Sequence, residues 1–233
     1  MCQSHCGNFG QLIALSVHTS KASSVLAFLL EKIFMQAEQS SKHAHLQEKQ
    51  LSSQEVFQGH FLHAFRDEVK LPDGASSVRE YIKHPGAVVI VAELDDGRFV
   101  MERQFRYPIA QAVIEFPAGK IDPGEDRLTC AQRELMEETG YRAREWARVG
   151  VMHPCMGYSN EFIEIWFARG LSLGERRLDE GEFLDVFTAT LEELLAWSQS
   201  GELTDAKTLS CLLWLQNVRS GQWAIQWQSV AEG

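Results

Sequence analysis

Hydrophobic and polar residues alternate in short runs between about residues 56 and 115, which is the pattern of β-strands joined in hairpins. "FLHAFRDEVKLPDGASSVREYIKH" contains two such runs around Pro72–Gly74, and "GAVVIVAELDDGRFVMERQFR" contains two around Asp95–Gly97. Both tripeptides are strong turn signals. The pattern predicts two hairpins, and "VIEFPAGKI" predicts a further short strand.

The spacing of apolar residues becomes helical after Asp126. "RLTCAQRELMEETG" is rich in helix-forming residues, with Asp126 placed as N-cap and Gly140 as the C-terminal stop. Residues predicted to anchor this helix to the sheet are Leu128, Ala131 and Leu135. Strands are predicted next in "ARVGVMH", "EFIEIWFARGL" and "EFLDVFTAT".

Two helices are predicted to close the chain, near Leu191–Ser200 and Asp205–Arg219. The second carries a predicted apolar stripe formed by Leu209, Leu212 and Leu213. Hairpin-linked strands with one internal helix and two terminal helices are typical of an α+β fold, in which helices pack on a mixed sheet.

The same patterns divide the chain into four segments. The polar stretch 36–54 has no durable period, so it predicts a linker or a frayed helix. Residues 1–51 are expected to form a disordered or helical extension without a role in the chemistry. An antiparallel β region is then expected at 52–85, the main domain at 86–220 and a tail at 221–233.

Composition and charge exclude several classes of function. The chain has 233 residues, 45% of them hydrophobic, and a formal charge of −10, which argues against sequence-independent binding to nucleic acid. The apolar run "VLAFLL" is far shorter than the roughly 20 residues that a membrane-spanning helix needs. Five scattered cysteines argue against a disulfide framework and favour the reducing cytoplasm.

Acidic residues are concentrated in residues 119–141, "GKIDPGEDRLTCAQRELMEETGY". In a helix, Glu134, Glu137 and Glu138 share one stripe, where like charges destabilise by a few tenths of a kcal/mol per pair. A bound cation would offset this repulsion, and carboxylates without histidine or thiolate suit Mg²⁺ or Mn²⁺. The alternative is a solvated acidic face on a surface helix.

The complete spacing of this segment resembles a Nudix box, the signature of hydrolases that cleave nucleoside diphosphates linked to another moiety. The matching positions are Gly119, Glu125, Arg133, Glu134, Leu135, Glu137, Glu138, Gly140 and Tyr141. The resemblance implies a Nudix α/β/α sandwich with a mixed sheet. It also implies a loop-helix-loop that holds Mg²⁺, or Mn²⁺, against the pyrophosphate of a substrate.

The resemblance further implies a role for each matching residue. It assigns metal binding to Glu134, Glu138, the nearby Glu137 and the backbone carbonyl of Ala118. Arg133 is expected to orient the glutamates by pairing with Glu125. Gly119 and Gly124 are expected to permit sharp turns where the backbone passes the phosphates.

Over residues 52–220 the chain is similar to the ADP-ribose diphosphatase branch. The matching stretches are "RDEVKLPDG", "REYIKHPGAVVIV", "RQFRYP", "IEFPAGKID", "HPCMGYSNE", "LDEGEFLDV" and "GELTDAKT", in the expected order. The resemblance implies that ADP-ribose is hydrolysed to AMP and ribose 5-phosphate by a homodimer, in which the N-terminal sheet reaches the second subunit. One departure is Met156, which stands where this branch often has proline, and the nearest proline is Pro154.

Substrate contacts are expected from two further stretches. Arginine suits phosphate because its planar fork makes paired hydrogen bonds, and "RQFRYP" contains Arg103 and Arg106. A regular strand would not aim both at one ligand, and the resemblance favours Arg106 over a solvent-facing alternative. Glu115 resembles the residue that meets the adenosine part of the substrate, with a surface glutamate as the alternative.

The general base is expected outside the box helix, because a carboxylate bound to metal accepts a proton poorly. By resemblance, "LDEGEFLDV" supplies Glu180 as the first choice and Glu182 as the second. Glu137 remains the candidate within the helix, and a solvated acidic turn is the alternative for the loop. A loop of this kind could close a carboxylate over bound substrate.

Two other functions remain open from the sequence. The chain could be a Nudix hydrolase for another nucleotide sugar or a dinucleotide, or a silent module that only binds a nucleotide. The intact "RELMEE" argues against the silent module, because a pure binder has no need of every metal-binding glutamate.

Overall fold

The computed structural model describes residues 42–230. Residues 1–41 of the predicted extension and residues 231–233 of the predicted tail therefore lie outside the described residues. By their contacts the described residues divide into a smaller unit, residues 42–52 with 68–77, and a larger unit, residues 53–67 with 78–230. Within 42–230, no helix has the length and apolar character needed to cross a membrane.

The N-terminal strands form a three-stranded sheet in the order β1-β2-β3. They are β1 (Lys49–Gln58), β2 (His63–Lys70) and β3 (Ser76–Ile82), preceded by a 3₁₀ turn at Ala44–Leu46. The predicted pair of strands around Pro72–Gly74 is confirmed. The predicted linker at 36–54 is wrong for residues 49–54, which belong to β1. All ten residues of β1 are exposed, so the strand has no buried face to produce alternation.

The larger unit contains an eight-stranded mixed sheet in the order β10-β5-β4-β9-β8-β11, with β6 paired to β5 and β7 to β4. The strands are β4 (Ala87–Glu93), β5 (Phe99–Arg106), β6 (Gln111–Glu115), β7 (Ala118–Lys120), β8 (Tyr141–Met152), β9 (Ile163–Leu173), β10 (Leu184–Ala189) and β11 (Gln228–Ser229). Only β4 and β9 pair in parallel among these named strands.

Two details of this sheet differ from the expected strands. "VIEFPAGKI" forms two strands rather than one, because the chain leaves β5 at Phe116–Pro117 and pairs with β4 beyond it. Proline has no N–H to continue a ladder, which accounts for a break at this point. The predicted tail also contributes to the sheet, since β11 pairs with β8.

Local capping explains why the predicted helices form where they do. The helices are α1 (Arg127–Thr139), α2 (Leu191–Ser200) and α3 (Ala206–Arg219). Asp126 accepts hydrogen bonds from the N–H groups of Leu128 and Thr129, and Gly140 ends α1 in the left-handed conformation at φ 78°. These are the two caps that the sequence predicts.

The helices lie on both faces of the large sheet. Along β4, Val88 and Ile90 pack in the cluster that contains Leu135 of α1, whereas Val89 packs in the cluster that contains Leu194 of α2. Side chains alternate between faces along a strand, so β4 is buried on both sides. The predicted α+β class and α/β/α sandwich are confirmed.

The predicted stripe on the last helix is wrong in part. Leu212 is buried, but Leu209 and Leu213 are 39% and 52% exposed. The buried face consists of Thr208, Cys211, Leu212 and Leu215. These residues follow the helical spacing i, i+3, i+4, i+7, but two of them are a threonine and a cysteine, which a search for leucines overlooks.

Candidate active site

The glutamate stripe of α1 lies against strand β7. Ala131 and Leu135 on another side of α1 are fully buried, which fixes the orientation of the helix on the sheet. Among the three glutamates, Glu138 is buried, while the side chains of Glu134 and Glu137 are 12% and 27% exposed. The stripe is therefore no solvated surface face, which was the alternative reading of the sequence.

Arg133 holds the carboxylates of the box in place. Its Nε and Nη2 donate to the two oxygens of Glu125 at 2.8 and 2.9 Å, which is the predicted pairing. Its Nη1 donates to Glu134 at 2.9 Å and to Glu137 at 3.0 Å. The hydrogen bond from Arg133 is the main cause that lowers the pKa of Glu125 to about 2. This guanidinium offsets part of the repulsion between the glutamates.

Glycine is needed at position 119 because the backbone of β7 lies very close to the Glu134 side chain, and not because the chain turns there. A Cβ added to Gly119 would lie 1.9 Å from the carboxyl carbon of Glu134, which no side chain could tolerate. Gly119 lies within β7 without the positive φ that the predicted sharp turn would need. Gly124 does have a positive φ of 80°, as a turn requires. The absent side chain at Gly119 lets the backbone of β7 touch the Glu134 carboxylate.

At the buried end of the stripe, burial and repulsion between carboxylates both disfavour the charged form of Glu138. Ala118 N–H donates to Glu138 Oε2 at 3.0 Å. Burial nevertheless raises the pKa of Glu138 well above its ordinary value, and the charges of Glu102, Glu134 and Glu182 raise it further. Burial is also the main cause that raises the pKa of Glu134 to about 7. This pocket of the protein contains more carboxylates than its own cations can neutralise.

Glu102 is a member of this cluster that the sequence reading missed. It lies on β5 opposite Glu115 of β6, and burial raises its pKa to about 8, with the charge of Glu115 as the next cause. Its Oε1 atom is buried and has no hydrogen-bond partner among residues 42–230. The strand register that brings Glu102 here is not visible in the spacing of the box.

These donors fit a hard divalent cation. The cluster offers carboxylate oxygens that are buried, mutually repelling and, at Glu102, unpartnered, which is the chemistry that Mg²⁺ or Mn²⁺ satisfies. Within the described residues no three His, Cys, Asp or Glu side chains are already arranged as a cation cage. Arg133 and the Ala118 N–H hold the glutamates instead.

Stability without divalent cations is expected to fall as pH rises from about 4.5 to about 8. The folded-state pKa values of Glu134, about 7, and Glu102, about 8, lie above the ordinary 4.5, so the folded protein binds these protons more tightly than the unfolded chain. The contribution of these two protonated groups to the free energy of unfolding is complete below pH 4.5 and is lost above pH 8. Thermal unfolding in a chelator at several pH values measures this. Glu134→Gln should flatten the slope, and a Tm that rises over this range would contradict it.

The glutamates open into a cleft of about 430 Å³, a volume typical of small-molecule sites. The predicted residues that line it are Arg106, Ala118, Gly119, Glu134, Glu137, Glu138 and Glu182. Residues that line it but were not predicted include Phe61, His84, Gln104, Lys120, Glu161, Asp179 and Lys207. Gln104 and Lys207 lie in the stretches "RQFRYP" and "GELTDAKT", which is the signal that could have found them.

Four predicted residues lie outside the wall of the cleft. Arg103 lies over the ring of Phe187, with its guanidinium carbon 5.1 Å from the ring centre. Arg133 lies behind the glutamates that it binds. Glu180 is exposed at the tip of a turn. Glu115 is buried, pairs with Arg106 and does not line the cleft, and its predicted contact with adenosine stays a prediction.

Glu115 binds the arginine that was expected to contact phosphate. Arg106 Nε and Nη2 donate to the two oxygens of Glu115, each at 2.7 Å. Burial would raise the pKa of Glu115, but the hydrogen bonds and charges of Arg106 and Lys207 outweigh burial and lower it. A charged Glu115 therefore fixes the orientation of Arg106 at the edge of the cleft.

Comparison with known proteins agrees with this geometry. The sequence model of the NUDIX domain family matches residues 83–210, more than half of the chain. The chain belongs to the Nudix family. A second model, that of the nucleoside diphosphate sugar hydrolase N-terminal domain, matches residues 48–82. The box glutamates, the cleft and the α/β/α layers are thus those of a Nudix hydrolase.

Individual Nudix relatives resemble the chain over most of their length. It is 39% identical to the ADP-ribose pyrophosphatase of Bacillus subtilis (strain 168), over 73% of this chain and 94% of that protein. It is 38% identical to the methanol dehydrogenase activator of Bacillus methanolicus, over 73% of this chain and 93% of that protein. The crystal structure of an ADP compounds hydrolase superposes with a TM-score of 0.69 at 23% identity, covering 76% of this chain and 97% of that chain. This last likeness concerns the fold.

Proposed function

We propose that this Nudix hydrolase cleaves the pyrophosphate bond of ADP-ribose to AMP and ribose 5-phosphate, with Mg²⁺ as cofactor and Mn²⁺ as a possible substitute. The observation that carries the proposal is one cleft lined by both the glutamate stripe of α1 and the oriented Arg106. The similarity to the ADP-ribose pyrophosphatase of B. subtilis supports the choice of substrate.

Different residues would bind the divalent cation and the phosphate. Glu134 and Glu138, with Glu137 and the carbonyl of Ala118, would hold the divalent cation. When bound, such a cation neutralises phosphate charge and lowers the pKa of a water molecule. Arg106 would donate its remaining N–H groups to a phosphate, since Glu115 occupies only two of its five donors.

Glu182 is the better-placed general base of the two loop glutamates. It lines the cleft, and Gln104 Nε2 donates to its Oε1 at 3.4 Å. Its charge also raises the pKa values of Glu134 and Glu138, which places it within electrostatic reach of both. Glu180, the first choice from the sequence, is exposed and does not line the cleft. Glu182 would accept the proton that the attacking water loses.

A nucleotide sugar is the second candidate substrate. The match to the nucleoside diphosphate sugar hydrolase N-terminal domain favours it, because residues 48–82 provide Phe61 of the cleft. Met156, which replaces the proline common in the ADP-ribose branch, is 78% exposed, so it gives no direct support to either substrate.

Release of AMP from ADP-ribose, measured with Mg²⁺ and with a chelator, tests the proposal. We expect Mg²⁺-dependent formation of AMP and ribose 5-phosphate in equal amounts. A panel containing GDP-mannose, other nucleotide sugars and dinucleotides should give a lower kcat/KM for each. A higher kcat/KM for a nucleotide sugar would replace ADP-ribose as the substrate, and activity that resists the chelator would overturn the metal requirement.

The protein is expected to be a homodimer. The three N-terminal strands and the connection between β1 and β2 expose large apolar side chains in the larger unit, namely Val56, Phe57, Phe61, Leu62 and Val78. A group of exposed apolar residues on a sheet is typical of an interface. Light scattering should give twice the mass of one chain, and Phe57→Asp should shift the protein toward monomer while Gln54→Asp on the same strand should not. A monomeric, fully active wild type would contradict this expectation.

A reducing compartment such as the cytoplasm is part of the proposal. Cys130 and Cys211 are buried and free, and burial raises the pKa of both thiols. Thiols of this kind are inert packing residues and need no oxidising environment.

A further inference from the structure

Lys207 occupies a position that helix stability does not explain. It lies in the first turn of α3, where the helix dipole disfavours a positive charge. Asp205, the N-cap of this helix, offsets the charge with an oxygen 3.1 Å from Lys207 Nζ. The lysine side chain is only 12% exposed, and what remains accessible lines the cleft.

The start of α3 is fixed against the segment that leads into the Nudix box. The hydroxyl of Thr208, which is fully buried, accepts a hydrogen bond from the backbone N–H of Phe116 at 3.0 Å. Phe116 lies between β6 and β7, where the backbone leaves the ladder of β5. This bond places Lys207 beside Glu115, the last residue of β6, and the two side chains form an ion pair.

Glu115 therefore binds two cations of the cleft at once. Arg106 donates to both of its oxygens, and Lys207 donates to Oε2. A lysine ammonium has three donors, of which Glu115 and Asp205 occupy two, and an arginine has five, of which Glu115 occupies two. Three donors of Arg106 and one of Lys207 therefore remain, and both side chains line the cleft, where an anion could accept them.

We propose that Lys207 is a substrate-binding residue that, together with Arg106, binds one phosphate of the pyrophosphate, and that Glu115 is the positioning residue that holds both cations. The inference rests on the proposed function only in that the substrate carries a pyrophosphate. The carboxylates of α1 repel phosphate oxygens, whereas Lys207 and Arg106 offer charge-assisted donors at the same cleft. The substrate would lie between these two groups of opposite charge.

Lys207→Met tests this inference, because methionine keeps much of the side-chain volume and removes the charge. We expect KM for ADP-ribose to rise about 10- to 100-fold, the usual effect of losing a hydrogen bond to a charged group, while kcat changes less than about threefold. Affinity for inorganic pyrophosphate with Mg²⁺, measured by calorimetry, should fall by a similar factor. Lys207→Arg should restore much of both values, and Lys70→Met, which removes the same charge from an exposed position on β2, should change neither.

Two results would overturn the inference. One is a folded Lys207→Met protein whose KM and pyrophosphate affinity stay within twofold of wild type. The other is a lower Tm and a lower kcat with unchanged KM that Lys207→Arg does not rescue, which would indicate a structural ion pair only. If wild type does not hydrolyse ADP-ribose but Lys207→Met still weakens pyrophosphate binding tenfold, the proposed substrate fails and the role of Lys207 stands.

Discussion

Glu138→Gln should lower kcat of the Mg²⁺-supplied protein by about three orders of magnitude and leave the fold intact. Glu138 is the most deeply buried glutamate of the stripe, and its Oε2 already accepts the N–H of Ala118. An amide keeps the size of the side chain but removes the charge that would hold a divalent cation. Such a cation contributes several kcal/mol of transition-state stabilisation, and each 1.36 kcal/mol is a factor of ten in rate.

The same substitution should stabilise the protein in a chelator at pH 8. Burial, and then the charges of Glu102 and Glu134, raise the pKa of Glu138, so at pH 8 its carboxyl group costs folding free energy that an amide does not. A higher Tm together with a lost activity separates a ligand role from simple misfolding. Glu202→Gln, at an exposed position between α2 and α3, is the matched control and should change neither quantity. Normal turnover with a normal Mg²⁺ requirement in the Glu138 variant would refute its assignment as a ligand.

The sequence predicts the box helix well because its determinants are local. Asp126 and Gly140 cap α1 through their own side chain or backbone, and Arg133 reaches Glu125 within the same loop and helix. Turn signals at Pro72–Gly74 and Asp95–Gly97 act over equally short distances, so the hairpins follow from them. Elements that local chemistry determines are those that the pattern of residues reveals.

Features that depend on pairing between distant segments were missed. Glu102 joins the cluster only because β5 pairs with β6 in the register that sets it opposite Glu115. Lys207 reaches Glu115 only because α3 begins where Thr208 can bond Phe116, 92 positions away. Strand β1 has no buried face, so its residues show no alternation. In each case the decisive contact lies outside any window of neighbouring residues.

The requirement for glycine at position 119 was anticipated for the wrong physical reason. A glycine in a loop suggests a turn, but here the constraint is the distance between the backbone of β7 and Glu134 on α1. That distance is set by how α1 packs on the sheet through Leu135 and Cys130. The sequence contains the glycine, whereas its reason appears only when the helix and strand are placed together.

The loop that contains Glu180 and Glu182 also has a geometry that the sequence alone does not predict, and this geometry separates the two carboxylates. Residues 179–182 form a tight turn in which the N–H of Glu182 donates to the carbonyl of Asp179 at 3.1 Å, and Gly181 has a φ of 86°. The tip of such a turn projects to solvent, and Glu180 lies there. Asp179 and Glu182 flank the tip, and both line the cleft. Spacing alone could not separate two glutamates on opposite sides of one glycine.

Glu182→Gln is therefore expected to lower kcat by about 10² to 10⁴, the usual cost of losing a general base, with little change in KM or in Mg²⁺ affinity. Glu180→Gln, a matched change two residues away, should keep kcat within about threefold. Rates should be measured at saturating ADP-ribose and Mg²⁺, so that kcat is compared without a change in substrate or metal occupancy. If Glu180→Gln loses activity and Glu182→Gln does not, the loop closes differently over substrate and Glu180 is the base. If both retain it, the proton is accepted elsewhere, and Glu137 on the exposed side of the stripe becomes the residue to replace.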